Sequence, residues 1–530
     1  MRFGFKNIRR IFGAFALLCL AFFFCPTSLS WANTAEEHDE EDLSPYENFR
    51  HDGKKKSAIL TVEGNVDKPR HFHNIATQYN DYTKWCYVYY GTYPQSEVTD
   101  ESIIDDIDYE LSMAGRKKGD ITVNGKKYRK IDRSDVTDAS KWGTNAYRYF
   151  VFEPIKWRVI SLDKESVLLM ADKGLDCQPF NITKANIDWS NSTVRSWLNG
   201  YDDDDNHDGV DYSKSGKSFM SNAFSKQEYM TLQTCNVKTY AEKKYKTPGC
   251  KATHDKVFLL ATENVINKKF GFCKDGSCHS ATRQLEATDY CKAMGAAVSR
   301  PTKENNFNAT IDWWLRSPGS GAGPANTVDD GGYLKYSGEW TKNNLRAVVP
   351  GIRVNYSLLV SMGEYDTTYT SGKIRPEIRI YNSKKKLIKS SAFKLVYSAN
   401  KKVGKASVKI VMKGRYKKFG KIRMAFTVKP PVFDISRAVS YDDILDIDLM
   451  KRDCTYPDIS GVQVAMSRNA VFGNANVSYI DIWYNDTDTI SVEDFPADYK
   501  YVKIRTFVSN KQDKRFYSKW SDSKRITRKK

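Results

Sequence analysis

Apolar and polar residues alternate with a period of two along much of this chain, the signature of half-buried strands rather than of long helices. The first such run is Trp85-Cys86-Tyr87-Val88-Tyr89-Tyr90, closed by a Gly91-Thr92-Tyr93-Pro94 turn. Residues 121–128 hold Asn124-Gly125 at their middle, which predicts a tight hairpin. Residues 149–160 and 166–171 read as two further strands, and 257–261 as a buried one. Helical periods are short. Residues 194–199 follow the polar cap Asp188 to Thr193 and put Val194, Trp197 and Leu198 on one face. Residues 219–231 and 287–294 predict two more helices. The stretch Trp313-Trp314-Leu315-Arg316-Ser317-Pro318-Gly319, a Gly331-Gly332 turn and the apolar run 348–354 predict the closing hairpins of a compact domain.

Past residue 372 the alternation becomes cleaner. Residues 377–381, 393–397, 406–411 and 424–428 predict a small antiparallel domain with one wet face. Further alternating runs continue to residue 527. A chain of 530 residues exceeds one ordinary domain, and an apolar content of 40% is enough for buried cores.

The amino terminus has a different pattern. Arg2, Lys6, Arg9 and Arg10 precede an apolar run over 11–24, and Ser30-Trp31-Ala32 offers small residues for cleavage. Residues 1–32 therefore predict a signal peptide, too short in its apolar part to serve comfortably as a membrane span. Residues 33–84 predict a polar, acidic and disordered leader. No later apolar run reaches about 20 residues, so the mature chain is expected to lack a transmembrane segment. The expected location is secreted or extracellular, with association at the cell surface through charge. Fourteen Lys or Arg and no acid lie between 384 and 421, within a formal net charge of +19. Such a run either forms a solvated face or meets an anionic partner.

Export gives the cysteines a meaning. Eight follow the signal, and an even number outside the cell permits disulfides. Cys235 with Cys250, and a pair among Cys273, Cys278 and Cys291, are the local candidates. Asp204-x-Asn206-x-Asp208-Gly209 places oxygens at alternate positions before a glycine, the first half of a calcium loop. Ser215 stands where a bidentate Glu is needed, so Asp211 would have to supply the missing carboxylate. Calcium is the one cofactor this pattern admits. Trp313, Trp314 and Arg316 are the candidate ligand platform, indoles for stacking and a guanidinium for hydrogen bonds; their other reading is core. No nucleophile triad and no phosphate-cradling glycine loop is legible, so no catalytic residue is assigned.

Eight ordered landmarks, "YYGTYPQSEV", "FEPIKWRVI", "LLMADKGLDCQPFN", "WSNSTVRSWLN", "FSKQE", "DKVFLLATEN", "WWLRSPG" and "VVPGIRVN", resemble an uncharacterised domain of exported bacterial proteins over 85–357. The closing pattern also resembles the formylglycine-generating-enzyme and C-type-lectin-like group. That likeness implies an α+β head with irregular loops and short twisted sheets. The enzymes' cysteine pair has no counterpart after Pro318-Gly319, and the lectins' calcium tripeptides are missing, so neither activity follows. The stretch "FKLVYSANKKVGKASVKIVMKGRYKKFGKIRMAFTVKP" resembles a bacterial immunoglobulin-like repeat, and 431–530 resembles a fibronectin type III module that lacks its usual second-strand tryptophan. The expected architecture is thus a lectin-like head over 85–357, a linker over 358–372, a basic immunoglobulin-like domain over 373–430 and a fibronectin-like domain over 431–530. The expected function is binding or adhesion to an extracellular glycan, protein or anionic cell-wall polymer, with no nucleic acid. A structural envelope protein and an exported enzyme are the alternatives.

Overall fold

In a computed structural model, the chain is described over residues 56–64, 66, 69–72, 82–299, 310–342, 346–363, 366–470, 472, 477–496, 498–510 and 514–529. The expected signal at 1–32 and the acidic run 36–42 lie outside the described residues. The described part is β-rich, with several separate sheets. No described helix is long and apolar enough to cross a membrane.

The head begins earlier than residue 85. Strand β1 (Ala58–Glu63) leads, by way of a short antiparallel pair over Arg70–Phe72 and Tyr82–Lys84, to β2 (Tyr87–Glu97), β3 (Gly119–Val123), β4 (Lys126–Asp132), β5 (Tyr147–Leu162) and β6 (Ser166–Ala171). The Asn124-Gly125 turn joins β3 to β4 with both residues at positive φ, 50° and 74°, which is the geometry that an Asn-Gly pair favours. Helix α1 (Glu101–Met113), capped by Asp100, packs Ile107 and Leu111 against this hairpin. It is the longest described helix apart from the sheets, and the sequence reading placed none there.

Strands β7 (Asp176–Cys177), β8 (Cys235–Thr239), β9 (Cys250–Asp255), β10 (Val257–Leu259), β11 (Trp313–Pro318), β12 (Pro324–Val328), β13 (Leu334–Trp340), β14 (Ala347–Val348) and β15 (Pro350–Met362) complete the head. Between them lie α2 (Thr193–Asn199), α3 (Phe219–Ala223), α4 (Lys226–Tyr229) and α5 (Asp289–Ala293). The expected helix over 219–231 is two short ones. Phe224, in extended backbone, ends the first, and Ser225 caps α4 through a reciprocal pair with Glu228.

Strand β15 organises the head. Its first half pairs with β6 and β10, and its second half pairs in parallel with β1. Since β1 pairs with β2, β2 with β5, and β5 with β6, the pairings β15–β1–β2–β5–β6–β15 close on themselves. A second sheet runs β13–β12–β11–β14–β7.

The expected linker over 358–372 is overturned by the second half of β15. Strands β16 (Asp366–Thr368) and β17 (Ile378–Asn382) follow it, and β17 pairs antiparallel with residues 358–362. Between Tyr356 and Leu358 the register against β1 slips. A slip of one residue reverses which side the alternate side chains face. Before it, Ile352, Val354 and Tyr356 pack in the head core. After it, Leu359 does so, while Leu358, Val360 and Met362 turn into a second core. That core is completed by Ile378 and Ile380 of β17 and by the inner faces of β18 (Phe393–Ser398), β19 (Gly404–Met412) and β20 (Lys421–Lys429). The basic module therefore borrows part of its hydrophobic layer from the head. The described part of the leader expected over 33–84 departs from disorder in the same way: Leu60 and Val62 of β1 are buried in the head core.

The last module has two sheets around one core. β21 (Asp434–Tyr441), β22 (Ile444–Met450), β25 (Thr489–Val492) and β29 (Thr527–Lys529) form one, and β23 (Gly461–Ser467), β24 (Val477–Trp483), β26 (Tyr501–Ser509), β27 (Arg515–Tyr517) and β28 (Lys524–Arg525) form the other.

Because Leu358 lies wholly in the basic module's core, Leu358→Ala is expected to cost roughly 2–5 kcal/mol there. Residues 373–430 contain no tryptophan. The shared strand nevertheless predicts that the urea midpoint followed by tryptophan fluorescence falls in this variant. An unchanged midpoint would mean that the two bodies unfold independently.

Candidate functional site

Trp313, Trp314 and Arg316 sit on β11, the middle strand of the second sheet. Both indoles are fully buried. Trp313 Nε1 donates to the Arg283 carbonyl at 3.2 Å, and Trp314 Nε1 to the Gln178 carbonyl at 2.9 Å. Trp314 stacks edge-on against Phe180, which in turn meets Trp189. Arg316 spends its donors on the Leu259 and Lys238 carbonyls and on Asn264 Oδ1. Burial lowers its pKa to about 10. The expected stacking platform is thus corrected to core: on a strand covered on both faces, successive side chains all point into protein.

The calcium pattern does not assemble either. Asp208 is saturated by Asn181 Nδ2, the Thr183 amide and hydroxyl, and His207 Nδ1. Asn206 closes its own loop, accepting from the Val210 amide and donating to the Asp202 and Val210 carbonyls. Asp211 accepts from Ser213 and meets Lys214. Asp204 instead lies beside Asp202 and Asp203 in an exposed acidic turn. The oxygens that the sequence spaces evenly are each used by a different local turn, so Asp204, Asn206, Asp208 and Asp211 do not converge on one ion.

The cysteines divide similarly. In the β8–β9 hairpin, Cys235 lies opposite Asp255 and Cys250 opposite Thr239, so the expected pair sits at opposite ends. Cys273 and Cys278 have their sulfurs 3.6 Å apart. Cys291 is buried elsewhere, donating to the Asp176 carbonyl, and burial pushes its thiol up.

Buried charge in the head serves packing. Asp255 takes Arg195 Nε at 2.8 Å together with Trp189 Nε1, Thr253 and Tyr201, which ties α2 to β9. Asp176 accepts from Tyr93 Oη, the Cys177 amide and Gln178. A solvent-open depression of the head is lined by Tyr89, Gln95, Glu153, Lys156, Asp172 and Lys173.

The basic module presents a different arrangement. Residues 373–430 hold nineteen Lys or Arg and a single acid, Glu377, which accounts for nearly all of the chain's formal charge of +19. Its inner positions are apolar, so alternation sends the cations outward. Cross-strand rows on the outer face run Lys394–Val411–Lys421 and Val396–Lys409–Arg423, with Lys405 opposite Thr427 further along. Lys429 meets Asp366 at 2.6 Å, but among the described residues Lys394, Lys409, Lys421 and Arg423 have no carboxylate within ion-pair distance. Burial and the neighbouring Lys514 lower the Lys405 pKa. The run of fourteen cations in the sequence was the signal for this face; the register that gathers four of them with Arg423 was not legible.

Residues 164–382 match the model of a family described as a domain of unknown function, DUF6273. No curated protein matches the chain. The matched stretch ends with β17, where pairing to β15 ends, and it contains the segment expected to be a linker. Strands β1 to β5 lie outside it although they share the head's sheet.

Burial raises the folded-state pKa of Asp176 above its ordinary value. The ionised form is therefore the costly one. This group's contribution is full below about pH 4 and declines as pH rises through the raised value. Asp176→Asn is expected to flatten that decline in urea midpoints measured from about pH 4 to 8. An unaltered slope would assign it to other groups.

Proposed function

We propose that this protein is a secreted or cell-surface bacterial binding protein. In this reading a lectin-like head is carried with immunoglobulin-like and fibronectin-like modules and is retained on an anionic envelope polymer. The observation that carries the reading is the outer face of β18, β19 and β20. Five cations, Lys394, Lys405, Lys409, Lys421 and Arg423, share one sheet surface on which Asp366, paired with Lys429, is the nearby acid, and among the described residues Lys394, Lys409, Lys421 and Arg423 have no carboxylate within ion-pair distance. Like charges on neighbouring strands repel, a cost that an intramolecular partner would remove and an anionic polymer also removes.

The resemblances noted in the sequence support the rest: modules of these kinds on exported proteins serve as spacers and binding surfaces. The head's known chemistry is silent, since the matched family has no assigned function and its indole pair is core. Adhesion by charge needs no pocket, and the head's buried Asp176 and Asp255 are held by hydrogen bonds within it.

Lys409→Glu with Arg423→Glu is expected to weaken binding of the full chain to long-chain polyphosphate by about tenfold, as two repulsions replace two attractions. Binding of the parent should also vanish in about 1 M salt, where the screening length shrinks to about 3 Å. Retention at high salt, or affinity indifferent to both substitutions, would defeat retention by charge.

A further inference from the structure

The solvent-facing side of the β24–β23–β26–β27 sheet carries something that the basic face lacks. One cross-strand row runs Asp481, Gln463, Arg505. Gln463 Nε2 donates to Asp481 Oδ1 at 2.7 Å, and Arg505 Nε donates to Gln463 Oε1 at 2.8 Å. Arg515 Nη1 donates to the other oxygen of Asp481. The row is a polar relay of fixed geometry, with both donors and acceptors at the surface.

Rings flank it on both sides. Trp483, Phe507 and Tyr517 form one bank, with successive centroids 5.7 and 5.6 Å apart. Tyr479 and Trp520 form the other, 6.1 Å apart. Tyr479 is 52% exposed and Trp483 58%, two large rings two residues either side of Asp481 on an edge strand. The central strand keeps the surface low. Ala465 lies opposite Tyr479, and a Cβ on Gly461 would stand 2.1 Å from Phe507 Cζ. Only glycine lets the Phe507 ring lie across that strand.

The charge balance is positive. Arg505 stacks 4.0 Å over Tyr517 and 4.5 Å over Trp520, and Lys503 lies 4.9 Å over Trp520. Asp481 is taken by Arg515, and among the described residues no carboxylate stands within ion-pair distance of Lys503 or Arg505. Burial lowers both pKa values, and for Lys503 the neighbouring Arg505 adds to it.

A ligand for this surface has to supply three things: an apolar face for the exposed rings, groups that both donate and accept for the relay, and negative charge. A pyranose bearing an acidic group supplies all three, with its axial C–H face, its hydroxyls and its carboxylate or sulfate. Single-stranded nucleic acid supplies rings and charge too, but Asp481, between Tyr479 and Trp483 on the same strand, only accepts, which suits a sugar hydroxyl as donor and opposes the phosphate that accompanies every stacked base. We propose that this face binds an acidic polysaccharide. Sugar rings lie on Tyr479 and Trp483, hydroxyls meet Asp481 and Gln463, and acidic groups meet Lys503 and Arg505. The inference rests on the reading of the chain as an anionic-polymer binder and names the polymer's class. Strand β27, which carries Arg515 and Tyr517 on the platform, turns Phe516 the other way against Gly404 of the basic module. The two cationic surfaces are therefore neighbours.

The test is binding of the full chain to polygalacturonate, its neutral methyl ester, polyphosphate and an oligodeoxythymidylate. Polygalacturonate should bind at least about tenfold tighter than the ester. Tyr479→Ala with Trp483→Ala should lose about tenfold for polygalacturonate and nothing for polyphosphate, and Trp483→Phe should retain binding. Both rings are exposed on an edge strand, and an unchanged melting curve confirms the fold. If the platform is right and the basic face wrong, that loss persists while Lys409→Glu with Arg423→Glu holds polyphosphate as the parent does. Three results would overturn the platform: aromatic variants that bind polygalacturonate as the parent does, an ester bound equally well, or an oligonucleotide bound more tightly.

Discussion

Strand β15 is the constraint on which the rest of the described head and basic module depends. Its thirteen residues pair with four other strands, and a single register slip changes which side its apolar residues face. Before the slip the strand closes the head's ring of pairings. After it, Leu358, Val360 and Met362 roof a second core beneath the basic sheet. A buried strand must satisfy its backbone groups on both edges and its side chains on both faces. Here those demands are met by segments as distant in sequence as Ala58–Glu63 and Ile378–Asn382. The two bodies are joined through a common hydrophobic layer, which is why no free hinge separates them at residues 358–363.

Joining them this way also fixes where charge can go. The basic module's inner positions are filled by Val408, Ile410, Met424 and Phe426, so its lysines have only the outer face and the turns. On that face they stand in cross-strand rows with Val396 and Val411. The result is a predominantly cationic surface, with Asp366 its nearby acid, on a chain whose remainder is close to neutral. Such segregation says little about fold and much about partners, because a field of one sign concentrates ions of the other. The adjoining module adds rings and a polar relay to the same theme.

The head shows how conspicuous residues can be structural. Two adjacent tryptophans and an arginine look like a binding platform in a list of side chains. On β11 they are spent on carbonyls from four other segments, and Arg283, also fully buried, does the same for the loops around Cys273 and Asp275. Planar donors with several N–H groups are well suited to tying irregular backbone together, since each carbonyl left unpaired in the interior would be costly.

The alternating runs, the Asn-Gly hairpin, the capped helix α2 and the clean strands beyond residue 372 were determined by the sequence itself, because period and turn chemistry are local properties. Tertiary structure decided the rest. Whether Ala58–Glu63 is leader or strand depended on a partner some 300 residues away. Whether 358–372 is linker or hub depended on one register slip, and whether Trp313 and Trp314 meet solvent depended on what covers their sheet. The spacing of Asp204, Asn206 and Asp208 was plain in the sequence, but which turn each oxygen serves was settled only by neighbours such as Thr183. The platform around Asp481 was illegible for the same reason: its residues come from four strands and a loop, and only the register brings them side by side.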